Sequence, residues 1–389
     1  MVILKLAFRN LVGGGLRTWL NALVLSFSFV LIIFTQGLYR GMDERVSQAM
    51  IEAEYGGGQY WQEQYDPYDP LTLQDAHAPI PEYLQDLIKQ ERALPILVIQ
   101  ATMYPEGRIT PVLIKGIDPS QKILNFPSEA LWNQEEELPA LIGSRMAKNS
   151  GLEVGDYVTI RWRDVNGTFD ARDARIVYIM KTTVQSIDNN QIWIPLETLQ
   201  ELTDMPGEAT LVVLARDEEA GKSLSGWDFK GHDFLLADIK YMVQSKSIGA
   251  TIFYFILLLL AMLAIFDTQI LSIFRRRKEI GTLIALGMTR SRVIRLFTLE
   301  GALHGILAVL VGAVYGAPIL IYFATKGWAI GQSFDSYGFA LGEKLLPTYT
   351  AGLVLGTTLI VLIVTTIVSY LPTRKIGKLE PTEALRSLT

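Results

Sequence analysis

The stretch 275-RRRKEIGTLIALGMTRSRVIRLF-297 lies between two long apolar runs and carries seven of the chain's 35 basic residues against one acid, Glu279. Working outward from it, four runs reach the roughly 20 predominantly apolar residues needed to cross a bilayer. They are 19–39, 248–266, 301–325 and 350–371. The first is too long for the apolar part of a signal peptide, and no A-x-A-like site follows it, so it reads as an uncleaved anchor. The expected fold is a membrane protein: four transmembrane α-helices with a large α+β extracytoplasmic domain inserted between helices 1 and 2. A chain of 389 residues with 50% hydrophobic residues has room for both parts.

Basic residues near the span ends give the orientation. Residues 1–18 carry Lys5, Arg9 and Arg17 without an acid, and 372–389 carry four bases against Glu380 and Glu383. Between spans 1 and 2, residues 41–246 hold 18 bases and 33 acids. Both termini and the quoted loop are thus expected in the cytoplasm, and the acidic domain outside. The segments read as a cytoplasmic amphipathic helix at 1–18, spans at 19–40, 247–272, 299–325 and 350–371, and the inserted domain at 41–246. Cytoplasmic helices occupy 273–298, an external loop 326–349 and a cytoplasmic tail 372–389.

Within 3-ILKLAFRNLVGGGLRTW-19, Leu4, Ala7, Phe8 and Leu11 fall at helical spacing among bases, as in a helix lying on the inner surface. Neither 42-MDERVSQAMIEAE-54 nor 234-FLLADIKYMVQSKSI-248 contains Pro or Gly, so both spans are expected to continue outward as helical stalks. Between them, 56–81 is rich in Gly, Pro, Asp and aromatics and reads as a loop packed across other elements. Helices are expected near 82–92 and within 142–162, strands at 95–104, 110–117, 157–162 and 175–184, and strand, Pro-led helix, turn and strand in that order across 191–216. Asn166-Gly167 marks the turn of a hairpin.

No catalytic constellation is visible. There is no phosphate loop, nucleophile elbow or H-E-x-x-H pair, and the chain has no cysteine and three histidines, His77, His232 and His304. Disulfides and thiolate metal sites are therefore excluded, no histidine-rich metal site is expected, and no nucleic-acid partner is expected. Asp267, Glu300 and His304 sit at the cytoplasmic ends of spans rather than deep within several, so interhelical hydrogen bonding fits them better than a proton relay. Span 3 carries Gly301, Gly305, Ala308, Gly312 and Gly316 at small-residue spacing, which permits close helix packing within one chain or between two. Pro318 is expected to kink that helix.

The quoted loop divides into two short amphipathic helices. Ile280, Leu283, Ile284 and Leu286 are apolar in the first, Gly287 stops it, and Thr289 opens a second bearing Val293, Ile294 and Phe297. Two such helices fit a docking platform; a loop needed only for its charge would not require Glu279, Gly281 and Gly287 among helical apolar positions.

At these residues the sequence resembles the permease family that includes the cell-division permease, the macrolide-exporter type and the lipoprotein-releasing permeases. The recurrent pattern appears here as 277-RKEIGTLIALGMTRSRVIRLFTLE-300, with Ile284 where the family often has a base. Similar likenesses run through 5-KLAFRNLVGGGLRTWLNAL-23, 142-IGSRMAKNSGLEVGDYVTI-160 and 372-PTRKIGKLEPTEALR-386. The resemblance implies a non-catalytic permease subunit of an ABC transporter of the mechanotransmission type in the bacterial inner membrane. Separate ABC ATPase subunits would bind ATP and Mg, and this chain would bind no cofactor. A second permease copy or a related permease would complete the assembly. The coupling residues implied are Arg277, Glu279, Gly281, Leu283, Leu286, Gly287 and Arg290. The opening K-L-A-F-R-N-L and 112-VLIKGIDP-119 resemble the lipoprotein-releasing branch, which implies lipoprotein or other lipid-anchored cargo. Two alternatives are a tripartite pump subunit working with a periplasmic adaptor on peptides or drugs, and a membrane-anchored sensor or scaffold.

Overall fold

The computed structural model describes residues 15–132, 137–181, 185–218, 223–329 and 344–378, together with Ala7 and Arg9. The expected helix over 1–18, most of the 326–349 loop and the tail beyond Lys378 lie outside the described residues. The chain forms two compact units. One contains the described residues up to Met42, Met242–Ala329 and those from Lys344 onward, and the other is Asp43–Tyr241.

Helix α1 (Leu16–Met50) ends in a π-helical turn, Ile51–Tyr55. The inserted unit continues as β1 (Gln59–Gln62), β2 (Ala78–Pro79), α2 (Glu82–Lys89), β3 (Ala93–Tyr104), β4 (Thr110–Ile117), β5 (Leu138–Gly143), α3 (Ser144–Ser150), β6 (Tyr157–Arg163) and β7 (Phe169–Met180). Then come α4 (Gln185–Asp188), β8 (Gln191–Pro195), α5 (Leu196–Thr203), β9 (Glu208–Ala209), β10 (Leu211–Leu214), β11 (Trp227–Lys230) and α6 (His232–Leu235). The remaining elements are α7 (Ala237–Arg275), α8 (Arg277–Ala285), α9 (Arg290–Lys326), the pair β12 (Trp328–Ala329) and β13 (Lys344–Leu345), α10 (Ala351–Thr373) and a 3₁₀ turn, Arg374–Lys378. Four of these helices, α1, α7, α9 and α10, are long and apolar enough to span a membrane.

Nine strands of the inserted unit form one sheet in the order β11-β1-β10-β3-β4-β8-β5-β7-β6. The far end of β3 also pairs with β6, from Ala101↔Trp162 to Tyr104↔Thr159, so six strands close into a barrel. The alternation of β6 shows why it closes: Val158, Ile160 and Trp162 are buried while Tyr157, Thr159, Arg161 and Arg163 are exposed, a period-2 pattern with one face to the core. Ile114, Ile142, Ile176 and Ile192 join that core, with Met146 of α3 and Leu199 of α5.

Two local readings change. The second hairpin strand begins at Phe169 rather than Arg175, because Arg163 pairs with Phe169 around the loop 164–168, where Gly167 takes φ +84°. The helix through 42–54 widens at Ile51, where Gly56 N–H bonds to Ile51 C=O at 2.8 Å. Gly56 and Gly57 there lie directly on the Leu214 and Ala215 carbonyls, an approach that a Cβ would block.

In the other unit, Leu25, Phe29 and Ile33 of α1 pack with Ala261 and Ile265 of α7, Ala308 of α9, and Val361 and Val368 of α10. Outward-facing residues such as Leu263, Leu310 and Leu359 are exposed, as expected for a lipid-facing surface.

Candidate functional site: the segment from Arg275 to Phe297

Ile280 of α8 is fully buried against Ile273 of α7, Val293 and Phe297 of α9, and Ile376 of the 3₁₀ turn. Leu283, Ile284, Met288 and Ile294 close around this cluster, and Gly281 is buried beside it. Helix α8 ends in a Schellman motif: Met288 N–H bonds to Leu283 C=O and Gly287 N–H to Ile284 C=O, both at 3.0 Å, with Gly287 at φ +92°. Thr289 then turns the chain into α9 from an extended conformation, but its hydroxyl makes no capping bond. Leu286 is the exception among the apolar positions, being 81% exposed.

One residue fastens the segment. Arg276, at the junction of α7 and α8, donates through Nε to Glu279 Oε2 at 2.7 Å and through Nη1 to both oxygens of Glu300 at 3.1 and 3.0 Å. Its guanidinium also lies 4.8 Å from the centre of the Phe297 ring. Glu300 is only 7% exposed, and the guanidinium offsets part of the cost of burying its carboxylate. His304 Nδ1–H donates to the Glu300 carbonyl at 3.0 Å, one turn further along α9. Asp267 stands apart from this group and is exposed.

The remaining sequence-predicted residues distribute around this clamp. Glu279 is exposed apart from its bond to Arg276. Arg277 is half-buried and lines a recess of about 130 Å³ with Phe274, Pro372 and Lys375. Arg290, the first residue of α9, is exposed, as are Arg275, Lys278, Arg292 and Arg295. Leu286 and these five bases are therefore all open to solvent.

The glycine stripe of α9 faces other helices of the same chain. A Cβ at Gly301 would overlap the Ser369 side chain, and one at Gly305 would lie 3.2 Å from Thr365, both on α10. At Gly312 and Gly316 it would lie 3.0 Å from Phe29 Cδ1 and 2.5 Å from Val30 Cγ2 of α1. Pro318 lies inside the continuous helix α9. Among the described residues no group of three or more His, Asp or Glu could hold a metal ion.

Sequence reasoning missed Arg276. It sits in a run of four bases, all of which orientation alone would explain; the only available signal was its position four residues before buried Ile280 and three before Glu279.

Comparison with known proteins matches residues 18–225 to the MacB-like periplasmic core domain and residues 251–381 to the FtsX-like permease C-terminal family. The lipoprotein-releasing system transmembrane protein LolE of Haemophilus influenzae is 24% identical over 75% of this chain and 76% of its own. LolC of Neisseria meningitidis, described by the same system, is 22% identical over 76% and 77%. An uncharacterized ABC transporter permease of Methanocaldococcus jannaschii is 24% identical over 66% and 65%. With its membrane helices and inserted domain both matched, this chain belongs to the family of ABC transporter permeases that join an FtsX-like membrane region to a MacB-like periplasmic core.

Proposed function

We propose that this permease is the membrane subunit of a lipoprotein-releasing ABC transporter in the bacterial inner membrane. Both termini and the Arg275–Phe297 segment face the cytoplasm, and the inserted domain faces the periplasm. A separate ATPase docks on α8 and the Leu286–Gly287 turn, and ATP binding there drives the inserted domain to move lipid-anchored cargo. The observation that carries this reading is the Arg276 clamp. A docking helix transmits force only if it is fixed to a membrane helix, and Arg276 joins α8 through Glu279 to α9 through Glu300. The exposed bases of this segment, with exposed Leu286, support an acidic ATPase surface as the partner. The permease works as a dimer with itself or a related chain, since four spans offer each ATPase one platform. The cargo reading rests on the lipoprotein-releasing relatives.

The test is to extract the full chain gently from its native membrane and identify what accompanies it by mass spectrometry, beside a Leu286→Asp variant. A stoichiometric ATPase with the wild type, lost with the variant, and lipoproteins in the same sample are expected. An adaptor in place of lipoproteins would instead favour a tripartite pump. An ATPase retained in full by Leu286→Asp would overturn the assigned docking site.

A further inference from the structure

The recess of about 130 Å³ beside Arg277 sits where the spans α7 and α10 end. Ile270, Ile273 and Phe274 of α7 and Pro372 of α10 form its apolar wall, and Arg277 of α8 and Lys375 of the 3₁₀ turn supply its charge. Among the described residues neither base has a hydrogen-bond or ion-pair partner for its side chain. No acid lines the recess. Glu279 and Glu300 both bond to Arg276, and Asp267 lies seven residues before Phe274, about 10 Å back along the span.

Two like charges at one recess with apolar walls repel each other, and an anion between them relieves both. Orientation by positive charge does not account for the arrangement, since any exposed base satisfies it. Arg275 and Lys278 are exposed, whereas Arg277 between them is half-buried. The recess is smaller than the roughly 300–1,000 Å³ of small-molecule sites, so it holds one group of a larger ligand. Outside it the surface is apolar, with Phe274 60% exposed and Leu371, next to Pro372, 50% exposed. A ligand with its anion at the bases and its remainder on this lipid-facing surface is an amphiphile.

We infer that the recess binds the phosphate of an anionic phospholipid in the leaflet bordering α8. The planar fork of Arg277 and the ammonium of Lys375 meet the phosphate oxygens, and the acyl chains run from there past Ile270 and Phe274. A zwitterionic lipid brings its own cation and leaves the two bases uncompensated. The lipid bridges the ends of α7 and α10. This binding needs neither an ATPase nor cargo, so it stands or fails separately from the proposed transport role.

The experiment uses the full chain in phosphatidylcholine nanodiscs doped with a trace of photoreactive lipid, either phosphatidylglycerol or phosphatidylcholine carrying the same diazirine acyl chain. Labelled peptides are mapped by mass spectrometry and normalised to the outward-facing Leu310 region of α9. Two bases near a membrane surface favour an anionic lipid by roughly thirtyfold, so peptides containing Phe274 or Pro372 should take about tenfold more label or better from phosphatidylglycerol. Arg277→Gln with Lys375→Gln should remove that preference, while Arg275→Gln with Lys278→Gln, an equal loss of charge, should keep most of it. Inorganic phosphate in excess should not compete. Neutralising the acids of the tail, Glu380→Gln with Glu383→Gln, should leave the label unchanged.

Equal labelling by the two lipids in the wild type would overturn the assignment on its own, whether or not the variants fold. Equal losses from the two pairs of substitutions would reduce it to general surface charge. Competition by inorganic phosphate would make the recess a site for a soluble anion, and a several-fold rise on neutralising the tail would make those carboxylates its counter-ion; either result would overturn the lipid.

Discussion

The six-stranded barrel and the segment around α8 differ in how many side chains share the task of holding them. In the barrel, buried residues from β3 through β8 pack with α3 and α5, and the closing pairing of β3 with β6 leaves no free edge there. Around α8 the cluster is small, centred on Ile280, and Arg276 ties α8 to α9 through ion pairs with Glu279 and Glu300. The first is a many-partner core that loses stability by degrees. The second is held by few contacts, among which the Arg276 guanidinium bonds to both α8 and α9.

That contrast predicts effects of different kind. The largest falls on Arg276→Ala, which removes the guanidinium that bonds to both oxygens of the buried Glu300 carboxylate and to Glu279. As a test of the proposed transport role, ATP-driven cargo release in proteoliposomes that also hold the partner ATPase should drop by more than tenfold, with α8 newly open to protease and the barrel still folded. Normal release would remove the clamp from the mechanism. Trp162→Ala is the counterpart in the barrel, where the indole is buried and donates to the Leu202 carbonyl at 3.0 Å. It should destabilise the inserted domain by about 3–5 kcal/mol, read as an earlier thermal transition in tryptophan fluorescence, while the protease pattern of α8 stays as in the wild type. If that pattern changes too, the two regions are not independent.

A smaller effect is expected from Gly301→Leu, which forces α9 away from Ser369. Overpacking of this kind costs about 1–3 kcal/mol, so thermal unfolding in detergent should shift down by several degrees, and Gly301→Ala should shift it less. Equal shifts for both would mean that the helices part freely.

The smallest concerns pH. Asp188 accepts from the Ser144 hydroxyl at 3.1 Å and the Arg145 amide at 3.2 Å, but burial pushes its carboxyl above the ordinary range despite these partners. The folded domain therefore binds this proton more tightly than the unfolded chain. The contribution is most favourable below the ordinary carboxylate value of about 3.9 and declines as pH rises through the raised native value, then levels. Asp188→Asn should flatten that decline in urea midpoints taken from pH 4 to 7. A wild-type midpoint that instead rises over this window relative to the variant would contradict the direction.

Much of this was legible before any coordinates. The spans announce themselves by length, and β3, β4 and β8 by apolar runs bounded by turn residues. The strands β1 and β11 were not, since each has four residues set among Gly, Asp and Gln, and they gain their order only by pairing with each other and with β10. Closure of the barrel was hidden for a similar reason: Met103↔Ile160 is a long-range pairing with no local pattern. At the site, Ile280, Gly287 and the helix break between them follow from periodicity and from glycine's left-handed backbone. The role of Arg276 does not, because a bond from one base in a run of four to Glu300 exists only once two helices meet.

Strand β3 has one more consequence, for the order in which the protein is made. Its first residues pair with β10, its middle with β4, and its end with β6, so three partners synthesised later must all find one early strand. Until Leu211–Leu214 leaves the ribosome, the opening of β3 presents unpaired backbone groups and the apolar side chains Leu94 and Ile96 on an unprotected edge. Folding of the inserted domain should thus be slow and finish late, with a nascent chain that depends on chaperones while its most central strand waits.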